Sequence, residues 1–130
     1  MWTICKRVTF EAKHRLFLID KTDEENKKIF GKCFQDHGHS YKLYIYLRTD
    51  KLVNGMVRNF TEVKEIFKQY IEPDFDHNKP IEEILNELST AENISKFLYY
   101  KFKQYIPEVF KIRVWETEMG YAEYEENDTN

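Results

Sequence analysis

Little in this sequence breaks or crosslinks a chain. Its 130 residues include only 4 glycines, 3 prolines and 2 cysteines, against 10 Phe, 9 Tyr and 2 Trp. So few breakers among so many aromatics exclude a disordered or low-complexity chain and leave an ordered globular one. No apolar run approaches the ~20 residues of a membrane-spanning helix, and Met1-Trp2-Thr3-Ile4-Cys5-Lys6-Arg7 lacks the apolar stretch of a signal peptide. With a formal charge of −3 and no basic block or stripe, neither nucleic acid nor membrane is an expected partner, although a local phosphate pocket stays compatible. Two distant cysteines without a secretion signal read as two thiols, and the expected location is the cytoplasm. No repeat or linker divides the chain, so one domain over 1–130 is expected.

Histidine is also scarce. The four that are present, His14, His37, His39 and His77, all lie in short polar motifs, and Cys33 stands four residues before His37. The even positions Trp2, Ile4, Lys6, Val8, Phe10, Ala12 and His14 are apolar but for the lysine and the final histidine, which predicts a half-buried strand. His14 then continues an apolar face, where an imidazole needs a partner. A polar segment from about Asp20 to Lys32 reads as an exposed loop. From His37 to Arg48 the chain alternates again, with His37, His39, Tyr41, Leu43, Ile45 and Leu47 on one face. Residues i and i+2 of a strand face the same way about 6.5 Å apart, from which two imidazoles can converge on one ion.

Asn59 with Glu62 has the spacing of a capping box, and Phe60, Val63, Phe67, Tyr70 and Ile71 recur at helical spacing, predicting a helix that stops before Pro73. Ser89 with Glu92 makes a second such start, ahead of Ile94, Phe97, Leu98, Phe102 and Tyr105. Phe110, Ile112, Val114 and Glu116 alternate onto one face of a third strand, and a turn at Gly120 leads to a last strand near Tyr121 to Glu125. The predicted order is ββααββ, an α+β domain whose antiparallel sheet carries both helices on one face.

His37-Gly38-His39 is open to two readings, a metal site or a pair of hydrogen-bonded core histidines. His14, aimed from the end of another apolar face, favours the metal, with zinc as the expected ion. Three imidazoles leave a coordination position open, as catalytic zinc requires. A structural zinc site using Cys5 or Cys33 is the rival, but no Cys-x-x-Cys pair supports it. Cys33 reads either as a small buried hydrophobe or as a reactive thiolate favoured by a nearby cation. Asp76-His77 adds acid–base groups, or else a surface pair. A carboxylate at Glu116 on an apolar face needs donors, from a planar amidine-like ligand edge or from a buried Arg or Lys.

Phe10-Glu11-Ala12-Lys13-His14-Arg15-Leu16, Cys33-Phe34-Gln35-Asp36-His37-Gly38-His39-Ser40-Tyr41, Gly55-Met56-Val57-Arg58-Asn59-Phe60, Asp76-His77, Ser89-Thr90-Ala91-Glu92-Asn93 and Trp115-Glu116-Thr117 resemble, in order, the motifs of the 6-pyruvoyl-tetrahydropterin and 6-carboxy-tetrahydropterin synthase family. The resemblance implies the tunnelling fold (T-fold), in which sheets join into a trimeric barrel and two trimers stack as a homo-hexamer. It also implies that His14, His37 and His39 hold zinc, that Cys33 moves protons on the substrate side chain, and that Asp76 and His77 are its acid–base partners. Glu116 would anchor the guanidine-like edge of the pterin, and Thr90 and Glu92 would border the pocket. The implied substrate is 7,8-dihydroneopterin triphosphate. Three residues between Cys33 and His37 resemble the carboxy-forming branch, whose product leads to queuosine and whose by-products are acetaldehyde and triphosphate. The alternatives are a pyruvoyl-forming synthase or a non-catalytic pterin-binding protein of the same fold. Two stretches depart from the family pattern: Asn78-Lys79-Pro80-Ile81 where a Leu-Asn pair usually follows, and Asn59 in place of Asp.

Overall fold

The computed structural model describes residues 1–75 and 79–126. Strand β1 runs Trp2–His14, helix α1 Asp23–Phe30, strand β2 His37–Thr49, helix α2 Phe60–Ile66, the short helix α3 Ile81–Leu85, helix α4 Ala91–Tyr105, strand β3 Val109–Thr117 and strand β4 Gly120–Glu125. The four strands form one antiparallel sheet in the order β1-β2-β3-β4. Among the described residues β1 and β4 each have a neighbour on one side only, so their outer edges carry unpaired backbone groups.

The period-2 faces of β1 and β2 hold. Val8, Phe10, Ala12 and His14 are buried on β1, and Tyr41, Leu43, Ile45 and Leu47 on β2. Against that face pack Val63 of α2, then Phe67 and Ile71, and from α4 Ile94, Leu98 and Phe102, all fully buried. Each such side chain contributes ~1.5–3 kcal/mol through removal from water. Phe10 stacks on Tyr41 with centroids 5.1 Å apart and tilts against Phe75 at 4.9 Å, joining both strands to the segment after α2.

Several expectations need correction. The polar stretch after residue 20 is not a loop throughout, because Thr22 and Glu25 form a reciprocal capping box that opens α1. Asn26 of α1 is buried; its Oδ1 accepts from Leu18 N–H at 2.7 Å and its Nδ2 donates to the Leu18 and Thr22 carbonyls, fastening the loop after β1. Gly31 ends α1 at φ 57°, a conformation that favours glycine, and starts the 3₁₀ turn Gly31–Phe34.

Asn59 caps α2 by accepting from Thr61 N–H at 2.8 Å, but Glu62 does not complete a box, since it pairs with Arg58 at 2.6 Å. Arg58 also grips Glu108 through Nε and Nη2 at 2.8–3.1 Å, tying the start of α2 to the turn before β3. The helical path does not stop before Pro73: it widens to π-type bonding over Phe67–Ile71 and tightens to a 3₁₀ turn, Glu72–Phe75. On β3, Val109 rather than Phe110 faces the core, because the pairing with β2 shifts register between Tyr46 and Leu47. No helix among the described residues is long and apolar enough to cross a membrane.

Candidate metal centre and thiol turn

His14 ends β1 and His37 begins β2, and the antiparallel register sets them directly opposite one another. Facing residues of an antiparallel pair share a side of the sheet, and His39 is two residues further along the same face. The three rings therefore meet: centroids lie 4.4 Å apart for His14 and His37, 4.7 Å for His37 and His39, and 5.1 Å for His14 and His39. Glu116 joins them from β3. Next to it the pairing of β3 with β4 shifts between Trp115 and Thr117, and its Oε1 lies 3.1 Å from His39 Nε2 and 3.5 Å from His14 Nε2. One potential ligand atom from each of His14, His37, His39 and Glu116 falls within 4.8 Å of the others. This group could bind a metal ion.

Hydrogen bonding decides which nitrogen the rings of His14 and His37 offer. Nδ1 of fully buried His14 lies 2.8 Å from the Ser89 carbonyl oxygen, and Nδ1 of His37 lies 2.7 Å from the Gln35 carbonyl oxygen. A carbonyl can only accept, so Nδ1 carries the proton and Nε2 is the free electron pair, the arrangement common to metal-binding histidines. Nε2 of His14 and of His39 are buried and find no hydrogen-bond partner among the described residues. In neutral His14 that lone pair faces the Glu116 carboxylate, two acceptors with nothing to share. A proton or a cation resolves the conflict, and the donor set of imidazole and carboxylate suits zinc.

The electrostatics follow. Burial opposes charge on His14, but the Glu116 carboxylate, the Ser89 carbonyl and the Glu82 charge outweigh it and raise its pKa above 6.5. His14, with help from the charges of His39 and His37, holds Glu116 below 4.5 against the effect of its burial. Burial, reinforced by the neighbouring imidazoles, pushes His39 below 6.5 despite Glu116. Burial also pushes Tyr41 far above the usual phenol range, with Glu116 and Glu82 adding to it.

In the metal-free protein the His14–Glu116 pair has a defined stability window. The His14 contribution is complete below 6.5 and fades as pH rises through its raised pKa, while that of Glu116 is complete above 4.5 and fades as pH falls through its lowered one. His39 works the other way below 6.5. Glu116→Gln is therefore expected to lower the metal-free Tm most between pH 4.5 and 6.5. A lost pairing of about 1 kcal/mol corresponds to a fall on the order of 3–6 °C, which should shrink toward zero well above that range. A pH-independent difference in thermal melts would contradict the pairing.

Cys33 lies in the 3₁₀ turn that leads into β2 and is partly exposed as a free thiol. Its carbonyl accepts from Leu16 N–H at 2.7 Å, two residues after His14, which ties the thiol turn to the strand end holding the histidines. Thr90 is the N-cap of α4, accepting from Asn93 N–H at 3.2 Å, and Glu92 is exposed in the first turn. The cap is thus one residue later than expected, because Ser89 is buried against His14. Asp76 and His77 lie outside the described residues. A Cβ on Gly38 would meet only the Ala12 carbonyl oxygen, at an ordinary 3.8 Å, so no atom described in this chain exploits the close approach that glycine permits. Two further residues border the histidines, Ser89 and Glu82; Ser89 shows in the sequence only as a polar residue at a helix start, and no sequence signal marks Glu82.

The family model described as 6-pyruvoyl tetrahydropterin synthase matches residues 3–127. The chain belongs to that family. The family is one of lyases. A 6-pyruvoyl tetrahydrobiopterin synthase of Dictyostelium discoideum is 32% identical over 126 residues, covering 93% of each chain. A 6-carboxy-5,6,7,8-tetrahydropterin synthase of Haemophilus influenzae is 30% identical, with 97% of this chain and all of the relative covered. The solved 6-pyruvoyl tetrahydropterin synthase of Caenorhabditis elegans superposes with a TM-score of 0.85 at 25% identity, covering 97% of this chain and 96% of that one. The four-stranded antiparallel sheet with its helices is thus the T-fold of the 6-pyruvoyl tetrahydropterin synthase family.

Proposed function

We propose that the chain is a zinc-dependent lyase that converts 7,8-dihydroneopterin triphosphate to 6-carboxy-5,6,7,8-tetrahydropterin with release of acetaldehyde and triphosphate. The observation that carries this reading is the convergence of His14, His37 and His39, with Nδ1 of His14 and His37 engaged by backbone carbonyls and two buried Nε2 atoms that face Glu116 without a hydrogen bond, beside the tethered turn of Cys33. These three imidazoles would hold zinc. Bound there, zinc supplies Lewis acidity toward side-chain oxygens of the substrate, which acidifies the adjacent C–H bonds.

The remaining work falls to the chain's own groups. Cys33 is assigned as the base that takes a proton from the substrate side chain, with Asp76 and His77 as its acid–base partners. Glu116 is assigned to the guanidine-like edge of the pterin, which two carboxylate oxygens can accept in bidentate fashion. Its Oε1 already lies at the histidine group, so the pterin ring would be held with its side chain over the metal ligands. Thr90 and Glu92 are assigned to the pocket border. The unpaired outer edges of β1 and β4 suit the joining of sheets into a barrel and a homo-hexamer of two trimers. A free Cys33 thiol fits a reducing cytoplasm.

The three-residue gap between Cys33 and His37 resembles that of the carboxy-forming branch, and this resemblance favours the carboxy product and with it a place in queuosine biosynthesis. A pyruvoyl-forming synthase is the second reading, favoured by relatives such as the Dictyostelium protein at 32% identity. Product analysis separates the two. Zinc-loaded protein incubated with 7,8-dihydroneopterin triphosphate and a thiol reductant is expected to yield acetaldehyde and a carboxylated pterin. Triphosphate with a pyruvoyl pterin and no acetaldehyde would establish the second reading, and an unchanged substrate would refute both.

A further inference from the structure

Glu82 lies on the short helix α3, far from β1 in sequence, yet its carboxylate reaches the strand end that carries His14. Oε2 accepts the backbone N–H of Arg15 at 3.2 Å and lies 3.5 Å from the hydroxyl of Ser89. Ser89 is fully buried, with its carbonyl oxygen 2.8 Å and its hydroxyl 3.2 Å from His14 Nδ1. One carboxylate oxygen thus touches both the residue after His14 and the residue that holds the His14 ring. Arg15 extends the connection to the thiol turn. Its guanidinium lies over Phe17 at 4.4 Å and over Phe34 at 4.8 Å, and Phe34 follows Cys33.

The strand ladder cannot hold these groups by itself. β1 ends at His14 and α4 begins only at Ala91, so Arg15 N–H and the Ser89 side chain lie in connecting segments where backbone and hydroxyl groups must find partners of their own. Glu82 supplies a partner to each. The half-buried carboxylate thus sits between two groups that flank His14, on the Nδ1 side of its ring.

We propose that Glu82 is a positioning residue, which sets the His14 ring through Ser89 and the Cys33 turn through Arg15 without being a metal ligand. The proposal rests on the metal reading above. Groups that orient ligating histidines from behind change metal affinity about 10–100-fold when removed.

Zinc affinity of the full chain, read by competition with a chromophoric chelator, tests this together with the visible absorption of the cobalt(II)-loaded protein. Glu82→Ala is expected to weaken zinc binding about 10–100-fold and to alter the cobalt bands. Ser89→Ala, which keeps the backbone carbonyl but loses the hydroxyl link, should weaken binding by a smaller factor. Glu82→Gln keeps an acceptor for Arg15 N–H and Ser89 O–H, so it should restore most of the affinity and the parent cobalt spectrum. Parent-like affinity in Ser89→Ala, and in Glu82→Ala where that variant folds, would overturn the proposal. So would a Gln variant as weak as the Ala variant, because charge rather than position would then be acting. A parent chain that binds neither zinc nor cobalt would overturn the metal reading itself.

Discussion

Replacing Cys33 by alanine is expected to lower turnover by about 10²–10⁴-fold, the range that one positioned acid–base group contributes. Folding and metal content should not change with it. The structural bond at this position belongs to the backbone, since the Cys33 carbonyl takes the Leu16 N–H, and alanine keeps that carbonyl. The side chain is only partly buried and belongs to no part of the core cluster. Zinc stoichiometry, melting temperature and rate of acetaldehyde release, measured on one preparation, separate a missing base from a damaged fold. A variant that turns over within tenfold of the parent with zinc bound would remove Cys33 from the reaction.

The second large effect contrasts two ligands. His14→Ala and His37→Ala should both reduce zinc to well below one per chain and turnover to background, because each removes one of three imidazoles. Their effects on the metal-free fold should differ. His14 is fully buried and donates to the Ser89 carbonyl at 2.8 Å, so alanine leaves a buried acceptor without its donor, at a cost of about 1–3 kcal/mol. His37 is more exposed and its carbonyl partner, Gln35, is at the surface. Denaturant unfolding of the chelator-treated proteins should therefore show His14→Ala clearly less stable than the parent, with His37→Ala close to it. Equal destabilisation would contradict the burial argument.

The second effect concerns histidines that the sequence reveals through strand periodicity. Two alternations of period two run into His14 and His37, and the β1–β2 register then sets these residues opposite each other. That logic is local, so it survives without coordinates. It fails where a bulge intervenes. Phe110 looks like a core position by alternation, but the register shift at Tyr46/Leu47 hands the core to Val109.

The helix starts show a different ambiguity. Ser89-x-x-Glu92 and Thr90-x-x-Asn93 both have capping spacing, and the choice is made by His14, which draws Ser89 into the interior. The start of α1 had its signal in Thr22-x-x-Glu25, masked by a polar composition that also describes a loop. Glu116 was recognisable as a carboxylate needing partners. That the partners include imidazoles rather than a buried Arg or Lys depends on tertiary placement. Glu82 was invisible for the same reason, because its contacts span 67 residues to Arg15.

The pairing of His14 with His37 lies at the very end of the β1–β2 ladder. Ladder ends are where strands open most easily, and a slip of one residue would turn every side chain to the opposite face. An ion held by both residues would act as a latch on that open end, since only the native register aims the two rings at one point. Metal binding would then favour the aligned strands over a slipped pairing, by as much as the aligned end holds the ion more tightly.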